Sequence, residues 1–106
     1  MAVINIAPAR LRELLDTGEV DVIVDVRTPM EREICALEGS RLLDQAVLEE
    51  LLQLDKGTPM AFICHHGIRS VAAAEHFESY GFEILYNVLG GIEAWAAQVD
   101  PSMKRY

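Results

Sequence analysis

The chain has 106 residues, 51% of them hydrophobic and 25% charged, which fits one globular domain over 1–106 with a modest core and no required disulfide framework. Seventeen acidic residues against nine basic give a net charge of −8, a surface that repels nucleic-acid phosphates and anionic lipid. No apolar run is long enough to span a bilayer, and the stretch Met1–Ile6 lacks the basic and apolar regions of a secretory leader, so the expected location is the cytoplasm.

Val3–Ile6 reads as a short strand. Pro8 suits a first helical turn, and Leu11, Leu14 and Leu15 then share one face of a helix from Ala9 to Asp16. Thr17-Gly18 stops it. Val20–Val26 is the second strand, and its β-branched centre Val22-Ile23-Val24 suits burial on both faces of a parallel sheet. Thr28-Pro29 opens a turn or short helix, and Glu38-Gly39-Ser40 turns the chain into a brief strand at Arg41–Leu43. Asp44 caps the next helix, whose apolar stripe is Val47, Leu48, Leu51, Leu52 and Leu54. After the break Asp55–Pro59, Met60–Ile63 forms the fourth strand. A helix then runs from about Arg69 to Tyr80, alanine-rich on one side, with Gly81 as a left-handed cap. Glu83–Val88 is the fifth strand. Gly90-Gly91 turns into a last helix, Ile92 to about Gln98, ended by Pro101, and the tail Ser102–Tyr106 is expected to be loosely held. Alternating strands and helices predict an α/β fold with a mainly parallel five-stranded sheet.

The stretch Cys64-His65-His66-Gly67-Ile68-Arg69-Ser70 is where chemistry concentrates. It places a cysteine at the carboxyl end of a parallel strand, where such sheets bind ligands. A helix amino terminus follows the loop, Gly67 permits a tight turn, and successive N–H groups form an anion-binding nest. Arg69 adds a positive charge, and His65 and His66 add partial ones according to their protonation. These features favour a thiolate, the reactive form of cysteine. They serve sulfur transfer through a persulfide, and equally phosphoryl or arsenate chemistry through an intermediate on sulfur. The plainer reading is a cysteine that only packs at a strand end, but the glycine and arginine speak for reactivity.

Cys64-x-x-Gly67-x-Arg69-Ser70 resembles the loop of the rhodanese-like sulfurtransferases. Asp25-Val26-Arg27 followed by Pro29, Glu31, Glu33 and Gly39 resembles that family's amino-terminal signature, and Asn87–Trp95 its carboxyl-terminal one. The resemblance implies a rhodanese-like fold, with helices on both faces of the sheet, in a stand-alone domain. It implies that Cys64 takes a sulfane sulfur from thiosulfate or a persulfide donor and passes it to cyanide or a thiol. His65, His66, Gly67, Ile68 and Arg69 would line the persulfide, and neither a metal nor an organic cofactor is implied. The six residues from Cys64 to Arg69 match sulfurtransferases, whereas related phosphatases and arsenate reductases carry one more. Those oxyanion enzymes are the alternative, as is a non-catalytic interaction or sulfur-relay module. A protein persulfide donor or acceptor is a further expected partner, whereas nucleic acid and membrane are not.

The remaining residues divide between scaffold and surface. Cys35-Ala36 stands where many relatives have Gly-His, and Glu38-Gly39 where many have Pro-Gly. Cys35 reads as a small, partly buried side chain, with a resolving thiol as the sharper alternative. Adjacent His65 and His66 rarely aim at one ion, and further ligands are not apparent. Asp25 and Arg27 read as scaffold, Arg27 pairing with Glu31 or Glu33. His76 reads as structural, Trp95 as core, and Glu49, Glu50 and Asp55 as a solvated face.

Overall fold

The computed structural model describes residues 3–106. Ten elements alternate along the chain: β1 Val3–Ile6, α1 Pro8–Thr17, β2 Val22–Asp25, α2 Pro29–Ile34, β3 Ser40–Leu42, α3 Gln45–Leu51, β4 Met60–Ile63, α4 Arg69–Ser79, β5 Leu85–Val88 and α5 Gly91–Gln98. The five strands form one sheet in the order β1-β5-β4-β2-β3, every neighbouring pair parallel. The fold is α/β with helices on both faces of a parallel sheet, as the resemblance implies.

The pleat divides two cores. Ala61 and Ile63 of β4 face a cluster with Leu11 and Leu14 of α1 and Ile92 and Trp95 of α5. Met60 and Phe62 face the other way, toward Leu51 of α3 and Ala74 and Phe77 of α4. All four β4 residues are buried, which is why an unbroken apolar run is needed there. Ala74 is fully buried, in keeping with a helix that lies close on its sheet.

Local signals place most boundaries. Pro8 sits in the first turn of α1, and Gly18 closes it in the left-handed region with its N–H on the Leu15 carbonyl. Asp44 accepts the Val47 N–H and caps α3. Gly81 follows α4 with φ of 99°, and its N–H meets the Glu78 carbonyl. Thr28-Pro29 opens a real helix, α2, closed by reciprocal bonds between Thr28 and Glu31. β1 and β4 keep their expected bounds, β3 starts one residue early, and β2 and β5 are shorter than expected: β2 begins at Val22, because the Val20 N–H bonds the Leu14 carbonyl rather than a strand partner.

The tail departs from expectation. Met103 packs against the first core, Arg105 pairs with Glu93 of α5, and Tyr106 is hydrogen-bonded through its hydroxyl. Three separate contacts thus hold a segment whose sequence carries no periodic signal.

The amino terminus of α5 does more than cap a helix. Its Ile92 and Glu93 N–H groups donate to the main-chain oxygens of Cys64 and His65, at 2.8 and 3.1 Å. Gly91 has φ of 60°, and a methyl group there would collide with those same two carbonyls. Gly91→Ala should therefore cost about 2 to 4 kcal/mol, from left-handed strain plus overpacking. Urea unfolding measures that loss, and a stability equal to the parent's would contradict the packing described.

Candidate active site

Cys64 directly follows β4 with its side chain buried, and the chain turns sharply after it. Gly67, at φ of 89°, returns its N–H to the Cys64 Sγ at 3.1 Å. A Cβ at Gly67 would stand 3.0 Å from both the Gly90 nitrogen and the Val88 oxygen, so the loop fits against the β5–α5 turn only as glycine. The His66 and Ser70 N–H groups lie close enough to favour a charge on the sulfur, and the Ser70 Oγ lies 3.3 Å from it. Burial pushes the Cys64 thiol up, but the Ser70 hydroxyl, where its one proton turns to the sulfur, and the N–H groups of Ser70, Gly67 and His66 bring it below its ordinary value. The loop is thus a ring of donors around one sulfur atom.

The two histidines pair with each other and with the tail. Their rings stack on each other at 3.9 Å, and the outer face of His65 takes the Tyr106 ring at 3.8 Å. The His65 Nε2 also lies 3.0 Å from the main-chain oxygen of Tyr106. His66 and Ile68 are exposed, and Ile68 is 79% accessible. Among the described residues no group of three His, Cys, Asp or Glu side chains is placed to hold a metal ion.

Arg69 is not left free beside the sulfur. Its Nη1 and Nη2 donate to the two Glu31 carboxylate oxygens, both at 2.9 Å. Arg69 holds Glu31 far below the usual carboxylate range, with the Thr28 N–H and the Tyr106 hydroxyl assisting against burial. The guanidinium also acts on the Cys64 sulfur by charge, while two of its five N–H donors are engaged by Glu31.

The expected pairing of Arg27 with Glu31 or Glu33 is corrected. Arg27 meets the buried Asp25 carboxylate bidentately, at 2.8 and 2.7 Å, and reaches Glu31 only through its main-chain oxygen. It further donates to the Cys35 carbonyl at 2.7 Å and to the Tyr106 hydroxyl at 3.0 Å. Two residues along the chain, Asp25 is reached without any excursion of α2, whereas the Glu31 carboxylate has turned to Arg69. Burial works against the Arg27 charge, but Asp25 and Tyr106 more than offset it and raise its pKa. Arg32 adds a second guanidinium to Asp25 at 2.8 Å and binds Ser40.

Of the other singled-out residues, Cys35 is free and half-buried, packed on the first core with its sulfur 4.0 Å from Arg27. Trp95 is core, as expected. His76 is exposed and meets only Tyr80 edge-on among ring contacts. A cavity of about 360 Å³ lies elsewhere, between α1, α5 and residues 36–38, and includes none of residues 64–69. Residues outside the expected set also build the site: Glu31, Ser70, Asn87, Gly91 and Tyr106. A buried asparagine in an otherwise apolar strand was a signal for Asn87, but nothing local marks Tyr106.

The model described as "Rhodanese-like domain" matches residues 7–98. The chain belongs to the rhodanese-like family. It is 33% identical over 106 residues to the protein named thiosulfate sulfurtransferase GlpE of Pseudoalteromonas translucida, covering 99% of this chain and 100% of that one. It is 34% identical over 105 residues to the probable adenylyltransferase/sulfurtransferase MoeZ of Mycobacterium tuberculosis, covering 96% of this chain but spanning only 27% of MoeZ. Among solved structures, a rhodanese-like domain protein from Staphylococcus aureus superposes with a TM-score of 0.73 at 28% identity, covering 90% of this chain and 91% of that one.

Two outcomes follow from the ion pairs. Asp25→Asn leaves a buried Arg27 charge without its carboxylate and should cost about 3 to 5 kcal/mol in denaturant unfolding. The Glu31 carboxyl is held below its unfolded value, so its contribution is whole at neutral pH and is lost as pH falls below about 4. Glu31→Gln should flatten the acid limb of the stability curve between about pH 4 and pH 2. An unchanged limb would show that the pair contributes nothing there.

Proposed function

We propose that the chain is a sulfurtransferase that carries sulfane sulfur on Cys64. The single observation that carries this reading is the donor ring: a buried Sγ at a strand end, with the N–H of Gly67 3.1 Å away inside a six-residue loop. Such a ring suits a charge on the outer atom of a persulfide, one bond beyond Sγ. The similarity to a protein named thiosulfate sulfurtransferase supports the same class.

In the loading step the Cys64 thiolate attacks the outer sulfur of thiosulfate. An S–S bond forms to Cys64, the sulfur–sulfur bond of thiosulfate breaks, and sulfite leaves with the electron pair. Charge balances, since one monoanion and one dianion give one monoanion and one dianion. In the unloading step cyanide, or a thiolate acceptor, attacks the outer sulfur and Cys64 departs as thiolate. A persulfide on a protein or a small thiol can replace thiosulfate, with its thiolate as leaving group. The backbone of His65, His66, Gly67, Ile68 and Arg69 cradles the outer sulfur, and the reaction belongs to the cytoplasm.

The state of Arg69 favours sulfur over phosphate. Clamping a phosphoryl dianion calls for a guanidinium free to donate toward it. Here one N–H of each Arg69 terminal nitrogen is bound to Glu31, so turning the guanidinium to a phosphoryl dianion would compete with that pair.

Exposure to thiosulfate should add the mass of one sulfur atom to the intact chain, and cyanide should remove it with release of thiocyanate. Cys64→Ser should show neither event. A parent chain that never gains sulfur from thiosulfate or from a small-molecule persulfide would sink the proposal.

A further inference from the structure

Behind the sulfur lies a buried polar chain that the transfer steps do not use. Ser70 is fully buried in the first turn of α4, and Asn87, 1% exposed, is the third residue of β5. The Asn87 Nδ2 donates to the Gly67 main-chain oxygen at 3.3 Å and to the Asn5 Oδ1 at 3.0 Å. A main-chain oxygen can only accept, so Gly67 fixes which end of the amide carries the hydrogens. The Asn87 Oδ1 therefore faces Ser70, whose hydroxyl donates to it at 2.5 Å. A hydroxyl has one proton. With that proton on Asn87, the Ser70 Oγ turns lone pairs toward the Cys64 Sγ, 3.3 Å away.

We propose that Asn87 is a positioning residue that acts through Ser70, directing the Ser70 hydroxyl away from Cys64 so that the empty site rests as a hydrogen-bonded thiol. Ser70 Oγ accepts from the S–H of that thiol, and every member of the chain is satisfied. Ionising Cys64 breaks the arrangement by either of two routes. Ser70 stays on Asn87 and faces a thiolate with lone pairs, or it turns to the sulfur and leaves the Asn87 Oδ1 buried without its donor. The downward pull of Ser70 on the thiol is available only by the second route.

A persulfide escapes the conflict. Its charge sits on the outer sulfur, one bond beyond Sγ, while Sγ becomes a neutral bridging atom beside Ser70. The Ser70–Asn87 bond then stays intact at no cost. The chain thus favours the loaded form of Cys64 over the bare thiolate, which is the useful bias for a sulfur carrier. This consequence rests on the persulfide reading above, but the direction of the Ser70 proton does not.

The test is the rate of Cys64 alkylation by iodoacetamide as a function of pH, on the full chain with Cys35→Ser present throughout. No sulfur donor is involved, so this inference and the sulfurtransferase reading fail separately. Asn87→Leu removes the competing acceptor at similar size and frees Ser70 to donate to the thiolate. Its alkylation midpoint should move to lower pH, with a rate at pH 6 about three- to tenfold above the parent's. Ser70→Ala, which leaves β5 intact, should not move the midpoint upward, because the parent hydroxyl is committed to Asn87. In the Ser70→Ala background, Asn87→Leu should have no further effect. A folded Asn87→Leu variant with an unmoved midpoint overturns the proposal. So does a rise of the midpoint by about one unit in Ser70→Ala, which would mean that Ser70 already serves the thiolate. Should Asn87→Leu lose its circular-dichroism signal, the sign of the Ser70→Ala shift decides alone.

Discussion

A carboxylate buried at the end of a parallel strand has to be paired, and Asp25 sets much of the surrounding structure by being paired twice. Arg27 and Arg32 both converge on it from the segment that follows β2. Arg27 has donors left over for the carbonyls of Glu31 and Cys35, and Arg32 for Ser40. Helix α2 and the approach to β3 are thereby tied to the carboxyl edge of the sheet. That placement presents Glu31 to Arg69 and lets Tyr106 bridge Arg27 and Glu31 through one hydroxyl. The network adds specificity of position more than net stability, since each charge was costly to remove from water.

The loop at Cys64 is held from the opposite direction. Its N–H groups turn inward to the sulfur, so its carbonyls must find donors outside, and α5 supplies them from its first turn. One helix amino terminus thus satisfies the loop's acceptors while another, that of α4, sends its Ser70 N–H to the sulfur. Close approach of the two turns leaves no room for a Cβ at Gly67 or Gly91. The electropositive character of the site comes chiefly from oriented backbone, with the Arg69 charge moderated by Glu31.

Much of this was legible from residue order. The apolar run of β4, the proline and glycine that bracket α1, the aspartate that caps α3 and the glycine after α4 each act within a few residues. So does the six-residue loop, whose location at a strand end followed from the strand–helix alternation. Strand limits were less legible: Val20 looks like strand by composition, yet its N–H is taken by the Leu14 carbonyl. The partner of Arg27 was misread because three carboxylates lie within reach of the same sequence, and only the packing of α2 tells which of them faces it. The tail was misread because aromatic stacking and a hydroxyl bridge leave no period in the sequence.

The sequence by itself determined the α/β alternation, the family and the place of Cys64 after a parallel strand, because hydrophobic period, capping and glycine conformations are short-range effects. Tertiary structure decided what each charged or polar group around that cysteine does. Arg69 meets Glu31 across 38 residues, Ser70 meets Asn87 across 17, and Tyr106 meets Arg27 across 79. Such pairings depend on which groups lose their water together when the helices close on the sheet. Donor and acceptor then have to be matched among whatever neighbours the packing supplies.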